Sequence, residues 1–303
     1  MDAVVTRIAS RMDWIGRTTF ALAALAFAAP TMALAGSDRE VARSTSFGGS
    51  CPKCELSGRR LTGARFMGAD FREAALVGSD LRDAQFVGST FVSANLSRAD
   101  LTDAEIVGSN FAGANLSRAR LVSAQAHAVQ FTGSDLSRAD LTDVEANASN
   151  FSKAILQGAS LRSGSLIAAN FTKVDARGAD FSDAQLNHAQ FSGGRFTRAS
   201  FRSAELMGAT LADGDFDGAD FADANLREAW ITGSDLSRAR NLTQDQLDEA
   251  CADSRTKAPP GLVAKMCHHG PRVAVAMPQP PPPPAPAAPK PPKPPRYLVN
   301  IEP

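Results

Sequence analysis

From Leu56 to Leu236 an apolar residue recurs at every fifth position without a slip, 37 times in succession. The centres are Leu, Phe or Ile, broken only at Ala126, Ala146 and Ala176. Two positions before most centres sits a small residue, as at Ala64, Ala69, Ala74, Ser79 and Ala84. Five is the wrong period for an α-helix: at 100° per residue, successive centres would jump by about 140° and scatter around the axis. Five is also odd, so a flat strand would point its centres alternately to opposite faces. A chain that turns through about a right angle every five residues aims all of them at one axis. Four such units then close a coil of 20 residues.

The 20-residue closure is visible separately. Taken every 20 residues, the centres give an unbroken column of Phe71, Phe91, Phe111, Phe131, Phe151, Phe171 and Phe191. Leu76, Leu96, Leu116, Leu136 and Leu156 form the next column, and Leu81, Leu101, Leu121, Leu141 and Leu161 the one after. Outer residues return with the same period: Asn95-Leu96-Ser97-Arg98-Ala99 reappears as Asn115-Leu116-Ser117-Arg118-Ala119 and as Asp135-Leu136-Ser137-Arg138-Ala139.

These residues resemble the pentapeptide-repeat family, whose pattern is A-(D/N)-L-x-x, over Leu56 to Arg240. The resemblance implies an all-β fold, the right-handed quadrilateral β-helix, with about nine coils. Coils stacked at the strand spacing of about 4.8 Å would make a rod on the order of 40 Å long. Each backbone N–H that faces a neighbouring coil needs an acceptor there, and proline has no N–H to give. No proline occurs between Pro52 and Pro259.

The flanks read differently. Residues 1–35 have the form of a secretory signal: Arg7, Arg11 and Arg17 flank an apolar run from Phe20 to Ala29, and Ala33-Leu34-Ala35 is a small-residue site for cleavage after Ala35. The run is shorter than the ~20 residues a membrane span needs, so no stable span is expected after cleavage. The expected location is periplasmic or secreted. Residues 36–50 read as a linker, 51–240 as the β-helix and 241–270 as a C-terminal cap. Within the cap, Thr243-Gln244-Asp245-Gln246 is a capping box that predicts a short helix through Leu247 and Ala250, covering the open last coil. This stretch also looks like the C-terminal extension of some exported members of the family. Residues 271–303 form a proline-rich tail, with 12 prolines between Pro278 and Pro295, expected to be disordered and extended.

Four cysteines, Cys51, Cys54, Cys251 and Cys267, are an even number in a chain expected to be exported, and they predict two disulfides at the two ends of the rod. A four-cysteine zinc site would need both pairs together, and the rod separates them. His127 and His188 fall on one side about three coils apart, too far to share a metal. His268 and His269 beside Cys267 read as a solvated pair. Asp80, Asp83, Asp100, Asp103, Asp140, Asp143, Asp180, Asp183, Asp220 and Asp223 flank one column. Catalytic carboxylates need environments that separate their pKa values, whereas these repeat in near-identical settings. Arg82, Arg98, Arg118, Arg120, Arg138, Arg162 and Arg202 lie among or beside them, so a mutually screened, solvated face is expected. No nucleophile–base set, phosphate loop or cofactor motif accompanies them. The expectation is a non-enzyme with no cofactor and no metal.

Formal charge is zero, with 32 basic and 32 acidic residues, which speaks against a nucleic-acid binder. Some members of the family bind DNA gyrase by imitating the DNA duplex and protect it from quinolones. That role requires a cytoplasmic, strongly acidic rod. Leu56 to Arg240 carries 22 acidic and 19 basic residues, a net of three negative charges. The favoured reading is an exported structural or adaptor protein that binds a protein of the cell envelope through a β-helix face, and it leaves a homodimer open. The expected contact strip is the outward row Met67, Val87, Val107, Ile167 and Met207, each followed by Gly or Ala.

Overall fold

The computed structural model describes residues 49–267. The signal segment with its cleavage site, most of the linker, His268, His269 and the proline-rich tail lie outside them. The described chain is a right-handed, four-sided β-helix. Parallel bridges link residues 20 apart without interruption from Ser50 and Asp70 to Asp220 and Arg240. Four columns of centres line the axis. The first begins at Leu56, the second at Leu61, the third at Phe66, and the fourth contains Phe71.

Where Asn or Asp precedes the centre, the repeat satisfies all five of its backbone N–H groups, as the unit around Leu96 illustrates. Ala94 N–H closes a turn onto the Phe91 carbonyl at 3.0 Å. Asn95 N–H reaches back one coil to Ala74 at 2.8 Å, while Leu96 and Arg98 reach forward to Asn115 and Ser117 at 2.7 and 3.0 Å. The remaining donor, Ser97 N–H, meets the Asn95 side-chain oxygen at 3.1 Å. Where an Asn or Asp precedes the centre, it is therefore structural. Its short side chain caps an N–H that neither neighbouring coil can accept, as Asx turns do elsewhere. The second residue after each centre takes a positive φ, 59° at Arg98 and 57° at Asp103, which lets the chain turn the corner.

Inside, the columns stack ring on ring: Phe71 and Phe91 lie 4.9 Å apart, Phe91 and Phe111 4.6 Å. Neighbouring columns meet edge to face, as at Phe66 and Phe71, tilted 83° at 5.1 Å. Core volume is exchanged locally. Where the centre shrinks to Ala146, the inward residue two before it grows to Val144, and one coil on Gly164 makes room. A β-carbon there would stand 3.2 Å from Val144 Cγ1. In the first column, Val174 and Ala176 give way to Gly194 with Phe196 and Gly214 with Phe216. A β-carbon at Gly194 would collide with its Phe ring at 2.6 Å. Small inward serines are satisfied as well: Ser79 donates to Leu76 O at 2.8 Å and Ser234 to Leu211 O at 2.7 Å. Among the described residues no buried side-chain polar atom lacks a partner.

At the first coil, Cys51 takes the place of a centre in the fourth column, and its N–H bonds to Asp70 O at 2.8 Å. Cys54 takes the small inward position three residues on. The repeat thus begins one unit before Leu56, and the Cys51–Cys54 disulfide, Cα–Cα 5.4 Å, belongs to that first unit. At the other end a six-residue helix, α1 (Gln244–Glu249), buries Leu247. Its capping box is reciprocal: Gln246 N–H reaches Thr243 Oγ1 at 3.3 Å, and Thr243 N–H reaches Gln246 Oε1 at 2.8 Å. Gln246 Nε2 also donates to the carbonyls of Phe221 and Ala224, at 2.9 and 2.8 Å, and the second of these has no donor from a following coil. The chain then rejoins the ladder, Trp230 against Cys251 and Asp235 against Lys257. The Cys251–Cys267 disulfide ties the final segment down, Cα–Cα 5.3 Å. No helix among the described residues is long and apolar enough to cross a membrane.

Candidate interaction faces

Chemistry on a β-helix must come from positions that point outward, of which each repeat offers the residue before the centre and the two after it. On the third side the row Met67, Val87, Val107 occupies three successive coils. Met67 is 45% exposed, and Val87 and Val107 are half-buried against the ladder. Farther along, Ile167 is 36% exposed and Met207 half-buried. The residues that interrupt the row have their own tasks. Asn147 accepts from Ile167 N–H at 2.8 Å and Asn187 from Met207 N–H at 3.0 Å, while His127 meets Glu145 at 3.3 Å. The apolar strip is one run of three coils with two outliers.

The charged rows divide by register. Arginines directly after a centre turn back onto the aspartate before it. Arg72 to Asp70 and Arg82 to Asp80 are both 2.7 Å, and Arg177 to Asp175 is 2.9 Å. The Arg82 guanidinium holds the Asp80 carboxyl down to about 2. Across coils, Arg162 meets Asp183 at 3.5 Å and Arg202 meets Asp220 at 3.2 Å. The expectation of a mutually screened face fails elsewhere. Arg98, Arg118 and Arg138 stand one residue later, at the corner, and none has a carboxylate within ion-pair distance among the described residues. Together with Ser97, Ser117, Ser137, Asn115 and Gln157 they line an open groove of about 570 Å³ along the first side. Sequence reasoning missed this groove, although the repeated Ser-Arg pair on three coils was its signal.

A second groove, about 420 Å³, lies at the C-terminal end between His188, Glu228, Trp230, Asp248, Lys265 and the Cys251–Cys267 bridge. His188 fills its mouth by lying over Gly208. The two cysteine pairs stand at opposite ends of the ladder. Among the described residues, no three His, Cys, Asp or Glu side chains converge as metal ligands would.

A model of a family described as pentapeptide repeats matches the chain in eight copies, over residues 53–91, 79–118, 94–133, 127–163, 165–202 and 204–240. Among solved structures, the chain is similar to HetL, a pentapeptide repeat protein involved in heterocyst differentiation regulation in the cyanobacterium Nostoc. Identity is 27% over 74% of this chain and 96% of that one, with a TM-score of 0.56. A trypsin-treated form of QnrB1, a plasmid-mediated fluoroquinolone resistance protein, matches at 25% identity over 68% of this chain and 93% of that one, with a TM-score of 0.31. A protein of the Arabidopsis thaliana thylakoid lumen matches at 30% identity over 41% of this chain and 72% of that one, with a TM-score of 0.22. None of the curated proteins searched matches the chain.

Proposed function

Because the chain belongs to the pentapeptide-repeat family, a fold whose sides are flat ladders, we propose that it is a non-catalytic, exported adaptor that binds a protein of the cell envelope through the third side of its β-helix. The observation that carries this reading is the run Met67, Val87, Val107. Three apolar side chains stand outward on consecutive coils, each followed by glycine, so nothing taller shields them. Single exposed apolar residues are ordinary, but an aligned run on a flat, unobstructed side suits a partner surface. Export is supported by the sequence of residues 1–35 and by two disulfides, which persist in oxidising compartments. The fold itself hosts many roles, so the partner must be found by experiment. Gyrase protection gains no support from a ladder that is close to neutral.

The test replaces Val87, Val107 and Ile167 together with Ser and repeats photo-crosslinking of the exported protein in its own envelope. A partner captured by the wild-type chain should be lost from the variant, with circular dichroism unchanged. Capture of the same partner at the same yield would remove the third side from consideration.

A further inference from the structure

The groove on the first side is the strongest unassigned feature of the molecule. It lies across the coil from the apolar strip and does not depend on it. Arg98, Arg118 and Arg138 stand on three consecutive coils, spaced by the ladder repeat of about 4.8 Å. All three are exposed and carry positive φ values of 59°, 59° and 57°. The same corner is Gly78 before them and Gly158 and Gly178 after them, residues that take this conformation without strain. Three guanidinium groups therefore crowd one edge at a backbone cost, against their mutual repulsion, with no carboxylate of the described chain neutralising them.

Serine hydroxyls and the Asn115 and Gln157 amides line the groove beside the arginines, with Val77 at one end. Ser117 Oγ donates to Asn115 Oδ1 at 2.7 Å, which leaves its lone pairs outward. The hydroxyls of Ser97 and Ser137 make no hydrogen bond among the described residues. A guanidinium row suits carboxylates, which it binds through paired donors, and a hydroxyl row suits the hydroxyls of a sugar ring. The lining residues run along the ladder over successive coils, from Val77 to Gln157, which suits a linear chain. The anion must recur along that chain. A polyuronate is such a chain, with a carboxylate and free hydroxyls on every sugar residue for the arginines and serines to meet. A DNA duplex places the phosphates of each strand about 3.4 Å apart along its axis, out of step with the ladder, and a flexible single strand is the competing occupant that the test separates. We infer that the groove lined by Arg98, Arg118 and Arg138 binds a linear acidic polysaccharide of the uronate class, its carboxylates held by the arginines.

The test measures binding of the full exported chain to polygalacturonate by isothermal titration calorimetry. Fully methyl-esterified polygalacturonate and a single-stranded DNA oligonucleotide serve as comparisons. The variant Arg98→Gln, Arg118→Gln, Arg138→Gln keeps the corner conformation with a side chain of similar reach. It should weaken binding at least about tenfold. Arg98→Lys, Arg118→Lys, Arg138→Lys keeps the charge and should retain part of the affinity. The double variant Lys153→Gln, Lys173→Gln, at the matching corner of the fourth side, should bind as the wild type does. Equal binding of the esterified polymer, tighter binding of the DNA, or equal loss in the lysine control would overturn the inference. So would a Gln triple variant that binds unchanged, or one whose only change is a shift in sedimentation from oligomer to monomer.

Discussion

At the level of single residues, the fold rests on exchanges between an inward small position and its centre. Val144 shows the exchange most clearly, since it fills the gap left by Ala146 and pushes the next coil to Gly164. Val144→Ala should open a cavity that neither neighbour can close, and lower stability by roughly 1 to 3 kcal/mol. Chemical denaturation followed by circular dichroism measures this; an unchanged midpoint would mean that the exchange is accidental. The sequence showed the pairing of Val144 with Ala146, because both lie in one repeat. It did not show the part played by Gly164, which depends on the contact between coils. The arginines follow the same logic. Arg72, Arg82 and Arg177, one residue after a centre, are paired, whereas Arg98, Arg118 and Arg138, two residues after one, have no such partner among the described residues, a distinction that composition cannot carry.

At the level of elements, polar contacts tie the C-terminal cap to the last coils. Lys257 and the Ser237 hydroxyl hold the Asp235 carboxyl down to about 2. The Gly233 N–H, with Thr256 and Arg255, does the same for Asp253, also about 2. Carboxylates lowered in the folded state stabilise it above their unfolded value of about 4 and lose that contribution as pH falls through the folded value. In a chain starting at Gly36, Trp230 is the sole tryptophan and stands beside Cys251 in the ladder. Its fluorescence should report a denaturation midpoint that is flat from about pH 7 to 5 and falls between about pH 4 and 2. Asp235→Asn with Asp253→Asn should flatten that fall; an identical pH profile would place the sensitivity elsewhere. The capping box was legible as Thr243 and Gln246. The second task of Gln246, closing the carbonyls of Phe221 and Ala224, was not, because those carbonyls belong to a distant stretch of chain. The cysteine pair at the start lies inside the first repeat, with Cys51 in the place of a centre. Cys51 escaped the register because only Leu, Phe and Ile marked the centres.

At the level of the whole molecule, the period alone made the architecture legible, since no other regular backbone aims every fifth residue at one axis. The outer surface was less legible, because the rule that fixes the inside leaves the outward positions free. The bridges join residues 20 apart throughout the ladder, so the molecule has a unit of length. Removing residues 111–130 should leave a shorter rod with every column intact and cooperative unfolding preserved. Removing residues 111–115 alone should keep all centres inward but seat Leu116 on Phe91, lowering the denaturation midpoint; equal stability of the two deletions would show that column identity is unimportant. The same property bears on how such a gene can change. A tandem duplication or loss of one coil's worth of codons leaves the protein soundly folded and only alters its reach, whereas slippage by one repeat scrambles its packing. Rods of this kind are thus expected to lengthen and shorten in steps, with the number of arginines along the groove as a heritable count.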